Sequence, residues 1–277
     1  MKKSLVISLL LIVLVTGCQA AEPEIVEVPV EVTRLVEVET AEVVADVPFF
    51  TTDVRTYTSE ATGNDYVVYV TLPLSYESVG HSYPVLYVTD GDFFTVPAAT
   101  MAAMLAAGHE MPEVITVGIG HGGSDRDFVA RRREDMAVDG RESFLEFLEE
   151  ELIPDIEAKY RANPEERILM GHSLGGAFAL YALFNAPDTF GNIIASSPSC
   201  RDECAVYEGH GAYPSRLFVS MGELDREFMP GYELLNQALQ DSDYDGLASE
   251  MVILNGETHM SAWPRTFTTG MKWVFAN

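Results

Sequence analysis

Lysine is nearly missing from this chain. Four lysines stand beside thirteen arginines, and the 17 basic residues face 43 acidic ones, for a formal net charge of −26. A surface so negative repels polyanions, and no basic run offsets it, so nucleic acid is excluded as a partner. Cysteine is almost as scarce, at three in 277 residues, which excludes a small disulfide-built scaffold. A chain of this length buries enough core to fold without such staples. No apolar run reaches the roughly 20 residues of a membrane-spanning helix. The longest, Leu5–Val15, is too short and follows Met1-Lys2-Lys3, the pattern of an export signal. Internal repeats and a boundary between two globular domains are also absent.

What is present begins with Val15-Thr16-Gly17-Cys18. Two small residues and a cysteine directly behind an export segment resemble a bacterial lipobox, which implies lipidation of Cys18. The mature protein would then be a lipoprotein held to a membrane by acyl chains, outside the cytoplasm, rather than spanning it. A plain secretory signal with an incidental cysteine is the alternative. Residues 1–17 are thus expected to be removed. Residues 18–47 alternate valine with glutamate, as in Glu24-Ile25-Val26-Glu27-Val28, and are interrupted by Pro23 and Pro29. Prolines and repelling glutamates favour an extended tether, reaching at most about 90 Å, over a self-associating strand or a short coiled segment. The remaining cysteines, Cys200 and Cys204, form a bridge or stay as two thiols; spacing alone does not decide.

Residues 48–277 alternate strand and helix patterns. Arg55–Ser59 and Tyr66–Leu72 flank Gly63-Asn64 as a hairpin. Strands are expected at Tyr83–Thr89, Val114–Ile119, Ile168–Gly171, Ile193–Ala195, Leu217–Met221 and Met251–Leu254. Helices are expected at Pro97–Ala107, Glu142–Lys159, Leu174–Asn185 and Tyr232–Gln240, with a last one through Trp273. Continuous apolar strands between helices give an α/β fold, a mostly parallel sheet with helices on both faces.

Gly171-His172-Ser173-Leu174-Gly175 falls between a strand and a helix. There the glycines permit a strained turn that lifts a serine hydroxyl above the sheet, and the following amide, of Leu174, faces the developing oxyanion. A serine hydroxyl needs a base. Downstream of Ser173 only His210 and His259 qualify, and His259 alone follows a strand. The acid that orients its imidazole falls in Gly222-Glu223-Leu224-Asp225, after strand Leu217–Met221. Glu223, Asp225 and Glu227 compete, and Asp225 has the spacing to turn back over the sheet edge. The second oxyanion donor belongs after strand Tyr83–Thr89, which selects the amide of Asp92. Gly120-His121-Gly122-Gly123 imitates a glycine-rich oxyanion loop but follows the wrong strand, so His121 is expected at most to line the entrance. Arg131–Arg133 either bind a substrate anion or pair with the acidic surface.

The blocks YPVLYVTDGD, VITVGIG, RRRED, FLEFLEEELIPDIEAKYR, GHSLGGAFALYAL, IASSPS, VSMGELD and GETH resemble, in order, the putative-esterase family of α/β-hydrolases. That group includes siderophore trilactone esterases, esterase D-like enzymes and relatives of mycolyltransferases. The resemblance implies an α/β-hydrolase fold, a small-molecule ester substrate, and a carboxylic ester hydrolase that needs no metal or cofactor. It implies Ser173, Asp225 and His259 as the triad. One departure is that Ser197-Pro198-Ser199 runs into Cys200-Arg201-Asp202-Glu203-Cys204 rather than into bulky aromatics. Acyl transfer by the same triad, or a non-catalytic binding lipoprotein on the same fold, are the competing expectations.

Overall fold

The computed structural model describes residues 50–122, 125–200, 212–241 and 244–276, with backbone alone at 125–127. The lipobox, the tether, His210 and Cys204 lie outside them. The valine- and isoleucine-rich runs form an eight-stranded sheet in the order β1-β2-β4-β3-β5-β6-β7-β8. β1 (Thr52–Thr58) and β2 (Asp65–Thr71) make the expected hairpin, and β2 joins β4 (Ile115–Gly120) antiparallel. From β4 onward, β3 (Tyr83–Thr89), β5 (Ala162–His172), β6 (Asn192–Ser196), β7 (Arg216–Gly222) and β8 (Ala248–Leu254) are all parallel.

Both faces are covered, which is why the central strands carry no polar alternation. One core gathers Tyr87, Val117, Leu169 and Ile193 with α5 (Leu174–Asn185) and α6 (Met229–Asp241). The other gathers Leu86, Val88, Ile168 and Met170 with α1 (Gly91–Ala107) and α7 (Ala262–Val274). In α7 the residues Trp263, Phe267, Met271 and Val274 are all buried, the spacing of one helix face.

Several elements differ from the sequence expectation, β5 among them, which begins at Ala162 rather than Ile168. α1 starts at Gly91, ahead of Pro97. The helix expected over 142–159 runs as α3 (Arg141–Glu146), a π-helical turn (Phe147–Leu152) and α4 (Ile153–Lys159). α2 (Asp125–Met136) was not expected at all, because its DRDFVARRREDM run lacks apolar periodicity.

The sheet order departs from the order of the strands in sequence. β4 precedes β5 in sequence, but it is β3 that lies against β5. The chain leaves β3 in one direction and returns past it in the other. A crevice opens at the carboxyl ends of strands where the order reverses in this way, here between the turns after β3 and β5.

Candidate active site

Ser173 occupies the turn from β5 into α5 with φ 58° and ψ −119°, a backbone conformation that L residues rarely take. Its backbone is held on two sides. The Ser173 amide donates to Ser196 O at 2.9 Å, and Ser173 O accepts from Ala177 N at 3.0 Å and Ser199 N at 2.9 Å. The glycines are required by contact. A Cβ on Gly171 would lie 2.0 Å from Gly175 O, and one on Gly175 would lie 2.2 Å from Thr89 Oγ1. Helix and strands approach here as closely as backbones can.

Asp225 and His259 come from the turns after the paired strands β7 and β8. The two turns interlock: Glu223 N donates to Leu254 O at 3.0 Å, and Leu224 N to Glu257 O at 2.9 Å. Asp225 is buried, and its Oδ2 lies 2.5 Å from His259 Nδ1. Glu223 is exposed and accepts instead from Gly256 N at 2.7 Å. Of the competing carboxylates it is therefore Asp225 that meets the imidazole, leaving His259 Nε2 for another partner. Ser173 and His259 line one pocket of about 280 Å³, together with Asp90, Phe93, Phe94, Phe128, Arg132, His172 and Met260. Phe93 and Met260 are 66% and 55% exposed, an apolar mouth over a polar floor.

Asp92 is not among the residues lining that pocket. Its carboxylate faces the other way, accepting from His121 N at 2.7 Å, Gly122 N at 3.1 Å and Tyr69 Oη at 2.9 Å. Its amide sits in the first turn of α1, where N–H groups have no partner within the helix. Leu174 likewise opens α5. Cys200 is buried and disulfide-bonded.

His121 corrects an expectation. It does not line the entrance; its ring is 1% exposed. Nδ1 lies 2.9 Å from Asp135 Oδ2, and Asp135 also accepts from Tyr66 Oη at 2.8 Å and Asn64 Nδ2 at 3.0 Å. The cause is α2, which turns Asp135 inward. The same helix engages two of the three arginines: Arg131 Nη1 donates to His121 O at 2.8 Å, and Arg132 Nε to Asp90 Oδ1 at 2.6 Å. Arg133 is exposed.

Sequence reasoning missed His172, a second imidazole in the pocket wall. Its ring centroid is 4.8 Å from that of His259. Burial, then the electrostatic influence of the neighbouring His259 and Arg132, pushes its pKa down to about 3. Its tautomer follows from proton accounting. The Thr266 hydroxyl donates to Ala262 O at 2.9 Å, and Ser196 Oγ donates to Thr266 Oγ1 at 3.1 Å. Ser196 has then no proton left for the ring, so His172 Nδ1 donates to Ser196 Oγ across 3.1 Å. Its Nε2 is an acceptor without a partner among the described residues.

A mostly parallel sheet with helices on both faces, and a strained serine on the strand-to-helix turn at the reversal of strand order, define an α/β-hydrolase fold. The comparisons narrow the class. The sequence matches the family described as "Putative esterase" over residues 59–259, and the chain belongs to that family of carboxylic ester hydrolases. Ferri-bacillibactin esterase BesA of Bacillus subtilis is 27% identical over 251 residues, 77% of this chain and 86% of that one. A siderophore triacetylfusarinine C esterase of Aspergillus fumigatus is 32% identical over 197 residues, 61% of this chain and 67% of the relative. Among solved structures, the BES protein of Bacillus cereus superposes with a TM-score of 0.70 at 25% identity, covering 82% of this chain and 95% of that one. The enterobactin and salmochelin hydrolase IroE shares the fold with a TM-score of 0.68 at 17% identity, covering 83% and 97%.

Proposed function

We propose that this esterase is a serine hydrolase acting through an acyl-enzyme, tethered outside the cytoplasm by a lipid on Cys18. Ser173 Oγ attacks the ester carbonyl while His259 Nε2 takes its proton. Asp225 holds Nδ1 and stabilises the imidazolium. The amides of Leu174 and Asp92 receive the oxyanion. Collapse of the tetrahedral intermediate breaks the bond to the alcohol, which leaves with the proton from His259. Water, deprotonated by the same imidazole, then releases the acid and restores Ser173.

The observation that carries this reading is the 2.5 Å contact between Asp225 and His259, made by an imidazole that shares one pocket with a strained serine. The relatives named as siderophore esterases make siderophore esters the first natural substrates to try. The direct test is hydrolysis of short p-nitrophenyl esters and of a siderophore trilactone by the full chain and by Ser173→Ala. Equal rates for the two proteins would remove the mechanism.

A further inference from the structure

Two residues other than glycine at the pocket have left-handed φ: Ser173 at 58° and Asp90 at 56°. Such strain persists only where the surroundings over-determine it. The turn at Ser173 carries the Leu174 amide, and the turn at Asp90 carries that of Asp92. Their separation therefore sets the width of the proposed oxyanion hole. The β3–β5 ladder does not fix this width. Its last paired residues are Val88 and Met170, short of both turns.

A side chain from α2 spans the gap instead. Arg132 Nε donates to Asp90 Oδ1 at 2.6 Å, and Arg132 Nη2 donates to His172 O, the carbonyl just before Ser173, at 3.1 Å. Asp90 is 1% exposed and caps no helix through its side chain; Arg132 is the partner hydrogen-bonded to its buried carboxylate, while His121 Nε2 stands further off at 3.8 Å from the same oxygen. The far end of the bridge is anchored as well. Arg131 and Asp135, either side of Arg132 on α2, bond to His121, Tyr66 and Asn64.

We propose that Arg132 is a positioning residue whose guanidinium fork, with Asp90 as counter-anchor, holds the two oxyanion-binding turns at their working separation. A second effect follows from charge. Asp90 lines the same pocket, and left unpaired it would oppose a developing oxyanion. Lysine cannot substitute, because one ammonium lacks the planar pair of donors that reaches both acceptors.

The inference rests on the serine-hydrolase reading and is tested with the full chain on a short p-nitrophenyl ester. Wild type, Arg132→Lys, Asp90→Asn and the double variant are compared, with rates referred to serine titrated by a fluorophosphonate. In either single variant kcat is expected to fall about tenfold to hundredfold, while KM stays within about threefold, since the loss is confined to the transition state. The inhibition constant of a trifluoromethyl ketone, whose adduct carries an oxyanion, is expected to weaken in proportion to kcat/KM. The double variant is expected to lose no more than the worse single, as for one mechanical unit. Unchanged kcat per titrated serine, or losses that simply multiply, would overturn the inference. If Arg132→Lys fails to fold, the isosteric Asp90→Asn carries the comparison. Ser173-dependent hydrolysis that is indifferent to Arg132 and Asp90 sinks this inference alone. Hydrolysis that survives Ser173→Ala sinks the underlying mechanism.

Discussion

His172 makes stability depend on acid in a way one substitution can isolate. The ring is 3% exposed, packed edge-on to Phe94 at 5.7 Å and beside His259. Burial, helped by the neighbouring His259 and Arg132, lowers its pKa from 6.5 to about 3. In the unfolded chain the same imidazole takes a proton about three pH units earlier. The sign follows: below about pH 6.5 the unfolded state binds a proton that the native state refuses, so native stability falls with acid until about pH 3. At about pH 5, some 1.5 units below the unfolded value, the loss is about 2 kcal/mol, from about 1.4 kcal/mol per pH unit. Asn at this position does not titrate, and its amide nitrogen reaches toward Ser196 as Nδ1 does. His172→Asn loses ring packing and is expected to be less stable than wild type at about pH 8. Between about pH 8 and pH 5 its urea-unfolding free energy should decline by about 2 kcal/mol less than that of wild type. The window stops there because the sequence pI is near 4.4 and a chain near zero net charge associates. Titrating groups away from this ring are common to both proteins and cancel. Parallel curves, within about 0.5 kcal/mol, would show that the buried ring is not held neutral against its solution preference.

Other expectations follow from the same geometry. Asp225→Asn should lower kcat by roughly 10²- to 10⁴-fold through loss of the oriented tautomer, whereas Glu223→Gln, whose side chain accepts from the Gly256 amide rather than from the imidazole, should stay within about threefold; steady-state kinetics on one ester separates them. Gly175→Ala forces a methyl to 2.2 Å from Thr89 Oγ1, so thermal unfolding should register a loss of about 1–3 kcal/mol. For the proposed anchor, cells expressing Cys18→Ser and fed an alkyne fatty acid should show no labelling of the protein, and equal labelling of both forms would remove the lipid from Cys18.

How legible the protein was in its sequence depended on the kind of interaction. Strands such as Tyr83–Thr89 stood out because burial on both faces permits only apolar side chains, and that run is β3 to the residue. The serine turn was legible for a steric reason: Gly171 and Gly175 sit where a Cβ would collide. α2 was not, because Arg131, Arg132 and Asp135 share its inward side with only Phe128 and Met136, and charge carries no periodic apolar signal. With α2 hidden, His121 and the arginines looked like surface groups.

The amino-acid order alone determined the alternation of elements, the turn that strains Ser173, and the rank of acid and histidine after it, because these depend on local sterics and on which stretches avoid water. Only tertiary structure decided that β3 rather than β4 adjoins β5, that Asp225 rather than Glu223 meets His259, and that Arg132 bridges two turns while His172 stays neutral within the wall. Those outcomes arise from contacts between residues far apart in the chain, where partner, distance and exclusion of water set the chemistry, and no local pattern encodes them.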